Sequence, residues 1–130
     1  MNIKGKLLSV ALGAGMLFAG QLYAAEMMMK SGAFKGPKAN TGHVTSSKEG
    51  GKIVLALSDN FKTPDAPDPH WQVIDSKGTV FMLQKIALKD NKMNRKITLP
   101  DYVNDVSKVV IWCAWAEASL GEASFDKPVM

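Results

Sequence analysis

The side chain with the most reactive chemistry in this 130-residue chain is the thiol of Cys113, its only cysteine. A cysteine thiolate can act as a redox group or as a ligand to a metal or prosthetic group. A cysteine without such a role is usually buried and packs as a small apolar side chain. Both roles therefore stay open for Cys113: a redox or cofactor-binding thiol, or a core residue.

A prosthetic group held by Cys113 would take a second ligand from another side chain, for which the candidates are His70, His43 and Met82. His70 follows a proline-rich stretch and precedes a tryptophan, so its ring could face a pocket. For both histidines an exposed loop position is the alternative. The sequence has no Cys-x-x-Cys-His motif, so a haem would be bound non-covalently. A domain without any cofactor is an equally open outcome.

Other metal sites have weaker support. A blue-copper site needs two histidines, a cysteine and a weak methionine ligand, but only Met130 and no histidine follows Cys113. The methionines at residues 27–29 offer thioether ligands for Cu(I), although a floppy chain start or a strand edge is the simpler interpretation. Asp65 and Asp68 could bind calcium, but aspartate beside proline is more often a turn former. We therefore assign no metal site.

Enzymatic chemistry also has little support. A cysteine nucleophile needs a base within reach, and no motif places either histidine beside Cys113. The sequence has no glycine-rich phosphate loop, no Gly-x-Ser-x-Gly motif and no zinc spacing. We assign no catalytic residue, and the sequence favours an electron-transfer or binding domain over a stand-alone catalyst.

The element that must position the thiol is the apolar run at residues 109–115, Val-Val-Ile-Trp-Cys-Ala-Trp. Its β-branched and aromatic residues, without glycine or proline, predict a strand. Because strand side chains alternate between faces, Cys113 would share one face with Val109, Ile111 and Trp115. Both faces are apolar, so we expect a central strand that is covered on both sides. The tryptophans expected to shape a pocket around the thiol are Trp71, Trp112 and Trp115.

The remaining apolar segments are short, recur at roughly ten-residue spacing and are separated by Gly, Pro and Asp turns. The predicted strands cover residues 30–35, 42–47, 52–57, 71–75, 79–88, 96–99, 109–115 and 121–125. An irregular loop is predicted at residues 63–70, which contain three prolines and two aspartates. This pattern is typical of an all-β protein, a single β-sandwich of about eight short, mostly antiparallel strands.

The first 25 residues have the layout of a secretory signal peptide. Lys4 and Lys6 precede an apolar run at residues 7–19, and small residues at positions 24 and 25 offer a cleavage point. The apolar run is shorter than the roughly 20 residues of a spanning helix. We therefore expect residues 1–25 to be removed and residues 26–130 to form one domain, periplasmic or secreted, with no stable membrane span.

The charge balance argues against nucleic acid as a partner. The chain has 16 basic and 12 acidic residues, a net charge of +4, and removal of Lys4 and Lys6 would reduce it further. The remaining lysines are scattered among acidic residues. No basic stripe with interleaved aromatic side chains is evident, so we expect no nucleic-acid binding.

Several short motifs occur in order along residues 31–125. They are Ser31-Gly32-x-Phe34, Gly42-x-Val44, Leu57-Ser58-Asp59-Asn60-Phe61, Pro67-Asp68, Ile97-x-Leu99-Pro100, Val106-x-x-Val109-Val110-Ile111-Trp112-Cys113 and Leu120-Gly121-x-Ala123-x-Phe125. Together they resemble the electron-transfer DM-13 domain family, over nearly the whole expected mature chain. The Val-x-Ile-Trp-Cys segment with its trailing Gly-x-Ala is the most specific part.

The resemblance implies an exported module of an extracytoplasmic redox system. The family cysteine that Cys113 matches is proposed to act as a bare thiol or as a ligand to a prosthetic group such as haem. A redox partner protein would then exchange electrons with this domain. The alternative is a non-enzymatic periplasmic binding or interaction domain, with Cys113 as a buried core residue.

Overall fold

The computed structural model describes residues 28–87 and 94–130, which fold into eight strands and contain no helix. The strands are β1 (Met29–Lys30), β2 (Val44–Glu49), β3 (Lys52–Leu57), β4 (Pro69–Ile74), β5 (Val80–Lys85), β6 (Lys96–Thr98), β7 (Val106–Cys113) and β8 (Ala118–Val129). They form two four-stranded antiparallel sheets, in the orders β1-β2-β3-β6 and β5-β4-β7-β8. The predicted all-β sandwich is confirmed. The predicted signal peptide at residues 1–25 lies outside the described residues.

The β2–β3 hairpin follows directly from the sequence. Gly50 and Gly51 form its two-residue loop, with φ angles of 59° and 78°. Both angles lie in the left-handed region, which glycine adopts without steric cost and which a two-residue hairpin turn requires. The turn pairs Glu49 with Lys52 and sets the register of the whole hairpin.

The hydrophobic core lies between the inner faces of the two sheets. Along β4 and β7 the register pairs Trp71 with Ile111 and Val73 with Val109, and all four side chains are 0% exposed. On β8 the same alternation includes Ala123 and Phe125, whereas Leu120 lies where the register between β7 and β8 shifts. Period-two burial on both sheets is what holds the sandwich together.

The central strand differs from its prediction at its end. β7 lies between β4 and β8, as expected for a central strand, but it stops at Cys113, which pairs with Ala118 of β8. A tight turn fills residues 114–117 and closes at Glu117 with φ 52°. Trp115 therefore lies on this turn, 77% exposed, and the expectation that it shares a face with Cys113 is wrong.

The expected cover on both faces of the central strand is wrong in part. The facing sheet covers only the inner face of β7. On its outer face Val110 is buried, whereas Trp112 is half-buried. Their neighbours there are side chains of the same sheet, since Trp112 pairs with His70 and Val110 with Gln72.

The first predicted strand, residues 30–35, is mostly replaced by an irregular segment that covers the edge of β8. The backbone N–H of Gly32 donates to the Ser124 carbonyl, Lys35 exchanges two bonds with Glu122, and Ala39 donates to Leu120 at 2.7 Å. This segment, residues 31–39, joins the two sheets along one side of the sandwich. β8, whose edge this segment covers, extends over twelve residues, beyond the predicted 121–125.

The proline-rich loop before β4, residues 58–68, is irregular, as predicted for residues 63–68. The prediction is wrong for Pro69 and His70, which begin β4. The Arg95 guanidinium donates to the carbonyls of Ser58 and Phe61, each at 2.9 Å. It also lies 5.4 Å from the centre of the Phe61 ring, which in turn packs against Phe34. These contacts tie the loop to β6 and to the segment that covers β8.

Candidate functional site

Cys113 is the last residue of β7 and belongs to the core. It is 1% exposed and forms part of the hydrophobic cluster between the sheets. Its cross-strand neighbours are Pro69 of β4 and Ala118 of β8. Such a position shields the thiol from water-borne reagents and from any ligand that approaches from outside.

The candidate second ligands do not meet Cys113. His70 lies one residue past Pro69 on β4 and pairs with Trp112, so alternation places it on the outer face of the sheet. Met82 lies on β5 beside Gln72, on that same outer face, and is 45% exposed. Cys113 points to the inner face. A single prosthetic group therefore cannot bridge the thiol to His70 or Met82 without rearrangement of the sheet.

His43 is half-buried and lies immediately before β2, a strand of the other sheet. Its backbone N–H donates to the Ser58 hydroxyl, and its carbonyl accepts from the Ser58 N–H, each at 2.9 Å. These bonds anchor the proline-rich loop to the start of β2. The described contacts of His43 are thus structural backbone contacts.

The three predicted pocket tryptophans occupy three different environments. Trp71 is fully buried on the inner face, and its indole N–H donates to the Asn94 carbonyl at 2.6 Å. Trp112 lies half-buried on the outer face, and Trp115 is exposed on the β7–β8 turn. Only Trp71 shares the side of the sheet on which Cys113 lies, where it fills the core.

Two surface depressions of about 170 and 290 Å³ lie elsewhere. The smaller is lined by Lys48, Lys52 and Asp101 among others. The larger is lined by Lys35, Glu122 and Asp126 among others. Neither depression includes Cys113 or a candidate ligand. Within residues 28–87 and 94–130, no three His, Cys, Asp or Glu side chains cluster as a metal site would require.

A polar network that the sequence reasoning missed surrounds His70. Its ring lies between the Leu83 carbonyl, 3.0 Å from Nδ1, and the Asp68 carboxylate, 3.1 Å from Nε2. The ammonium group of Lys85 reaches the same carboxylate oxygen at 3.3 Å. The register of β4 and β5 brings these side chains together, since His70 pairs with Lys85. The i, i+2 spacing of Asp68 and His70 is the one sequence signal for this contact.

Because of this network, the stability of the domain should fall as the pH is lowered into the acid range. Burial raises the pKa of Asp68, but hydrogen bonds and charge from Lys85 and His70 outweigh it and leave this pKa below its ordinary value. A carboxyl with a lowered folded-state pKa stabilises the fold above its unfolded pKa, and this is lost as pH falls through the folded-state value. We expect Asp68→Asn to lower the urea midpoint at pH 7, with the difference from the parent shrinking below about pH 4.

The matched control is Asp65→Asn, an exposed aspartate of the same loop. We expect this variant to keep the parent's midpoint at pH 7. Equal midpoints for Asp68→Asn and the parent at pH 7 would mean that the network contributes nothing to stability.

The exposed apolar side chains of β5 are another surface feature that the sequence did not predict. β5 lies at the edge of its sheet and exposes Val80 and Met82, at 54% and 45%. Phe81 and Leu83 alternate with them and are only partly buried against the core. The ring of Tyr102, 64% exposed, packs 5.8 Å from that of Phe81. Apolar side chains thus lie on both faces of this edge strand.

Comparisons of the chain with protein-family models, with curated proteins and with solved structures find no match.

Proposed function

We propose that this domain is a non-enzymatic binding or interaction module in which Cys113 is a core residue. The observation that carries the proposal is the position of the thiol, 1% exposed on the inner face of the sheet. His70 and Met82, two of its candidate co-ligands, lie on the outer face of that sheet. A buried cysteine among apolar neighbours commonly serves packing alone.

The second candidate is the redox module that the DM-13 resemblance implies, with Cys113 as a bare thiol or prosthetic-group ligand and a separate redox partner protein. One observation favours it. Cys113 directly precedes the exposed turn at residues 114–117, so a local opening of the β7–β8 hairpin would uncover the thiol. Non-covalent haem binding would require that opening.

Both candidates place the mature protein in the periplasm or outside the cell, after removal of residues 1–25. The support is the basic and apolar pattern of that segment. In the part of the chain that the structure describes, no helix is long and apolar enough to cross a membrane.

Thiol reactivity separates the two candidates. We expect Cys113 in the native protein to react with a water-soluble disulfide reagent at least about 100-fold more slowly than in denaturant, because reaction must await an opening event. Cys113→Ala should lower the free energy of unfolding by about 1 kcal/mol, the usual size for a small truncation. The positive control is Trp115→Cys in a Cys113→Ala background, since residue 115 is exposed.

An absorption spectrum recorded after export with haem available completes the test. We expect a featureless spectrum for both the parent and Cys113→Ala. We also expect the native thiol of the parent to react slowly with the disulfide reagent. A native thiol as reactive as that of Trp115→Cys would contradict the core role, and so would a Soret band that disappears in Cys113→Ala. Either of those results would support the redox module.

A further inference from the structure

The peptide bond between Asp68 and Pro69 joins a nucleophilic side chain to a proline nitrogen, and this is the only Asp-Pro pair in the chain. An aspartate carboxylate that attacks the carbonyl carbon of its own residue closes a five-membered ring, and such an intramolecular attack is strongly favoured over attack by a separate molecule. The nitrogen that must leave belongs to the tertiary amide of proline. The surroundings of this bond therefore decide whether it is stable.

The carboxylate of Asp68 is held in place in its ionised form. His70 Nε2 and Lys85 Nζ lie 3.1 and 3.3 Å from its Oδ1 atom. Against the effect of burial, the hydrogen bonds and charges of these two residues leave the pKa of Asp68 below its ordinary value. Since both contacts are made to Oδ1, we assign the attack to Oδ2. The side chain is 31% exposed, so water reaches it.

The carbonyl group that would be attacked is itself hydrogen-bonded. The backbone N–H of Ala114, on the β7–β8 turn, donates to the Asp68 carbonyl oxygen at 2.9 Å. A donor in this position stabilises the negative charge that develops on the oxygen when the carbonyl carbon is attacked. The pairing of β4 with β7 holds the donor there, because Pro69 lies opposite Cys113.

His70, the residue that follows Pro69, is available as a proton donor. Its ring lies between two acceptors, the Leu83 carbonyl, 3.0 Å from Nδ1, and the Asp68 carboxylate. Carbonyl and carboxylate oxygens only accept hydrogen bonds, so the ring can donate to both when it carries a proton on each nitrogen. In that form the ring holds a proton beside the scissile bond.

We propose that this chain cleaves itself once, between Asp68 and Pro69. Oδ2 of Asp68 attacks the carbonyl carbon of the same residue, the bond from that carbon to the Pro69 nitrogen breaks, and a cyclic anhydride forms. The nitrogen takes a proton from the protonated ring of His70 and becomes a secondary amine. One water molecule then opens the anhydride to two carboxylates and releases two protons, of which one returns to His70 and one binds the amine.

The two fragments would stay together in the folded domain. Residues up to 68 contribute β1, β2 and β3, whereas residues from 69 onward contribute β6 and the whole of the other sheet. Leu55 of the first fragment and Ile111 of the second are both 0% exposed in the shared core. Cleavage would therefore yield a two-chain domain in which the proline-rich loop is no longer linked to β4. This step goes beyond the proposed interaction function and does not depend on it.

Mass spectrometry of the purified full-length mature chain, under denaturing conditions, measures the cleaved fraction over time. At about pH 5–6, where a histidine is ordinarily protonated, we expect a first-order rate that does not depend on protein concentration. The second fragment should begin at Pro69. The same chain kept unfolded in urea at the same pH should cleave at least about 100-fold more slowly, because the folded arrangement of carboxylate and donors is lost. A native chain that stays intact, or equal rates for the native and unfolded chains, would overturn the proposal.

Variants of the loop test the role of each side chain. Asp68→Glu keeps the charge but must close a six-membered ring with a more flexible side chain, so cleavage should slow at least about tenfold. His70→Gln removes the proton donor and should slow cleavage at least about 100-fold. Asp65→Asn, in an exposed position of the same loop, is the matched control and should cleave as the parent does. Circular dichroism would confirm that the three variants fold.

A chemical trap identifies the anhydride. Hydroxylamine competes with water for an anhydride, so its addition should leave a hydroxamate on Asp68, at the end of the first fragment. A first fragment without hydroxamate would overturn the anhydride step, and so would Asp68→Glu cleaved at the parent's rate. An unchanged rate in His70→Gln would overturn the assignment of His70 as the proton donor.

Discussion

Gly121→Ala is expected to destabilise the domain by about 3 kcal/mol or more, or to prevent folding. A methyl group at Gly121 would overlap the carbonyl oxygen of Ala39 and lie 2.8 Å from its Cβ. Ala39 is 0% exposed, and its N–H donates to the Leu120 carbonyl. Relief of the overlap would require backbone movement, so residues 31–39 would have to leave the edge of β8.

Chemical denaturation measures this effect, and Gly32→Ala is the matched control. Gly32 lies in the same covering segment, but its new methyl group would have only the Ser124 carbonyl oxygen near it, at 3.8 Å. We expect the unfolding free energy of Gly32→Ala to lie within about 0.5 kcal/mol of the parent's, or slightly above it, because alanine makes the unfolded chain stiffer. Similar unfolding free energies for the two variants would show that residues 31–39 do not pack tightly on β8.

Trp71→Ala is expected to cost about 3–5 kcal/mol of unfolding free energy. Trp71 heads the largest fully buried side chains of the described residues, and its removal would leave a cavity between the sheets. Its indole N–H also satisfies the Asn94 carbonyl at 2.6 Å. Trp71→Phe keeps an aromatic ring but leaves that carbonyl without its donor, and should cost about 1–3 kcal/mol.

The matched control for this series is Trp115→Ala. Trp115 is 77% exposed on the β7–β8 turn, and its removal should change stability by no more than about 0.5 kcal/mol. Urea unfolding followed by circular dichroism compares the three variants without relying on tryptophan fluorescence. A Trp115→Ala loss as large as that of Trp71→Ala would contradict the placement of the two side chains.

Local patterns in the sequence predict most of the strands. The unbroken apolar run around Val109 and Ile111 is enough to place a central strand, because both of its alternating faces are apolar. Gly50-Gly51 locates a hairpin, because only glycine adopts two successive left-handed conformations without cost. Elements that depend on distant partners are predicted less well. Residues 30–35 and 121–125 carry no local signal for the hydrogen bonds between the covering segment and β8.

The relation between Cys113 and its candidate ligands was beyond the reach of the sequence for a similar reason. Alternation tells which residues of one strand share a face, but the pairing register decides which residues of two strands do so. His70 and Met82 thereby fall on the outer face, opposite to Cys113. The same register brings Asp68 and Lys85 to His70, which sequence spacing alone does not indicate for Lys85.

By itself, the sequence therefore determined the all-β class and the central position of the strand that carries Cys113. The export signal at residues 1–25 stays a prediction. The tertiary structure decided that the thiol faces the core, that Trp115 lies on an exposed turn, and that residues 31–39 cover the edge of β8. The physical reason is how far apart in sequence the contacting residues lie. Strand formation and hairpin turns depend on neighbours along the chain, whereas burial, strand register and edge protection depend on contacts between distant segments.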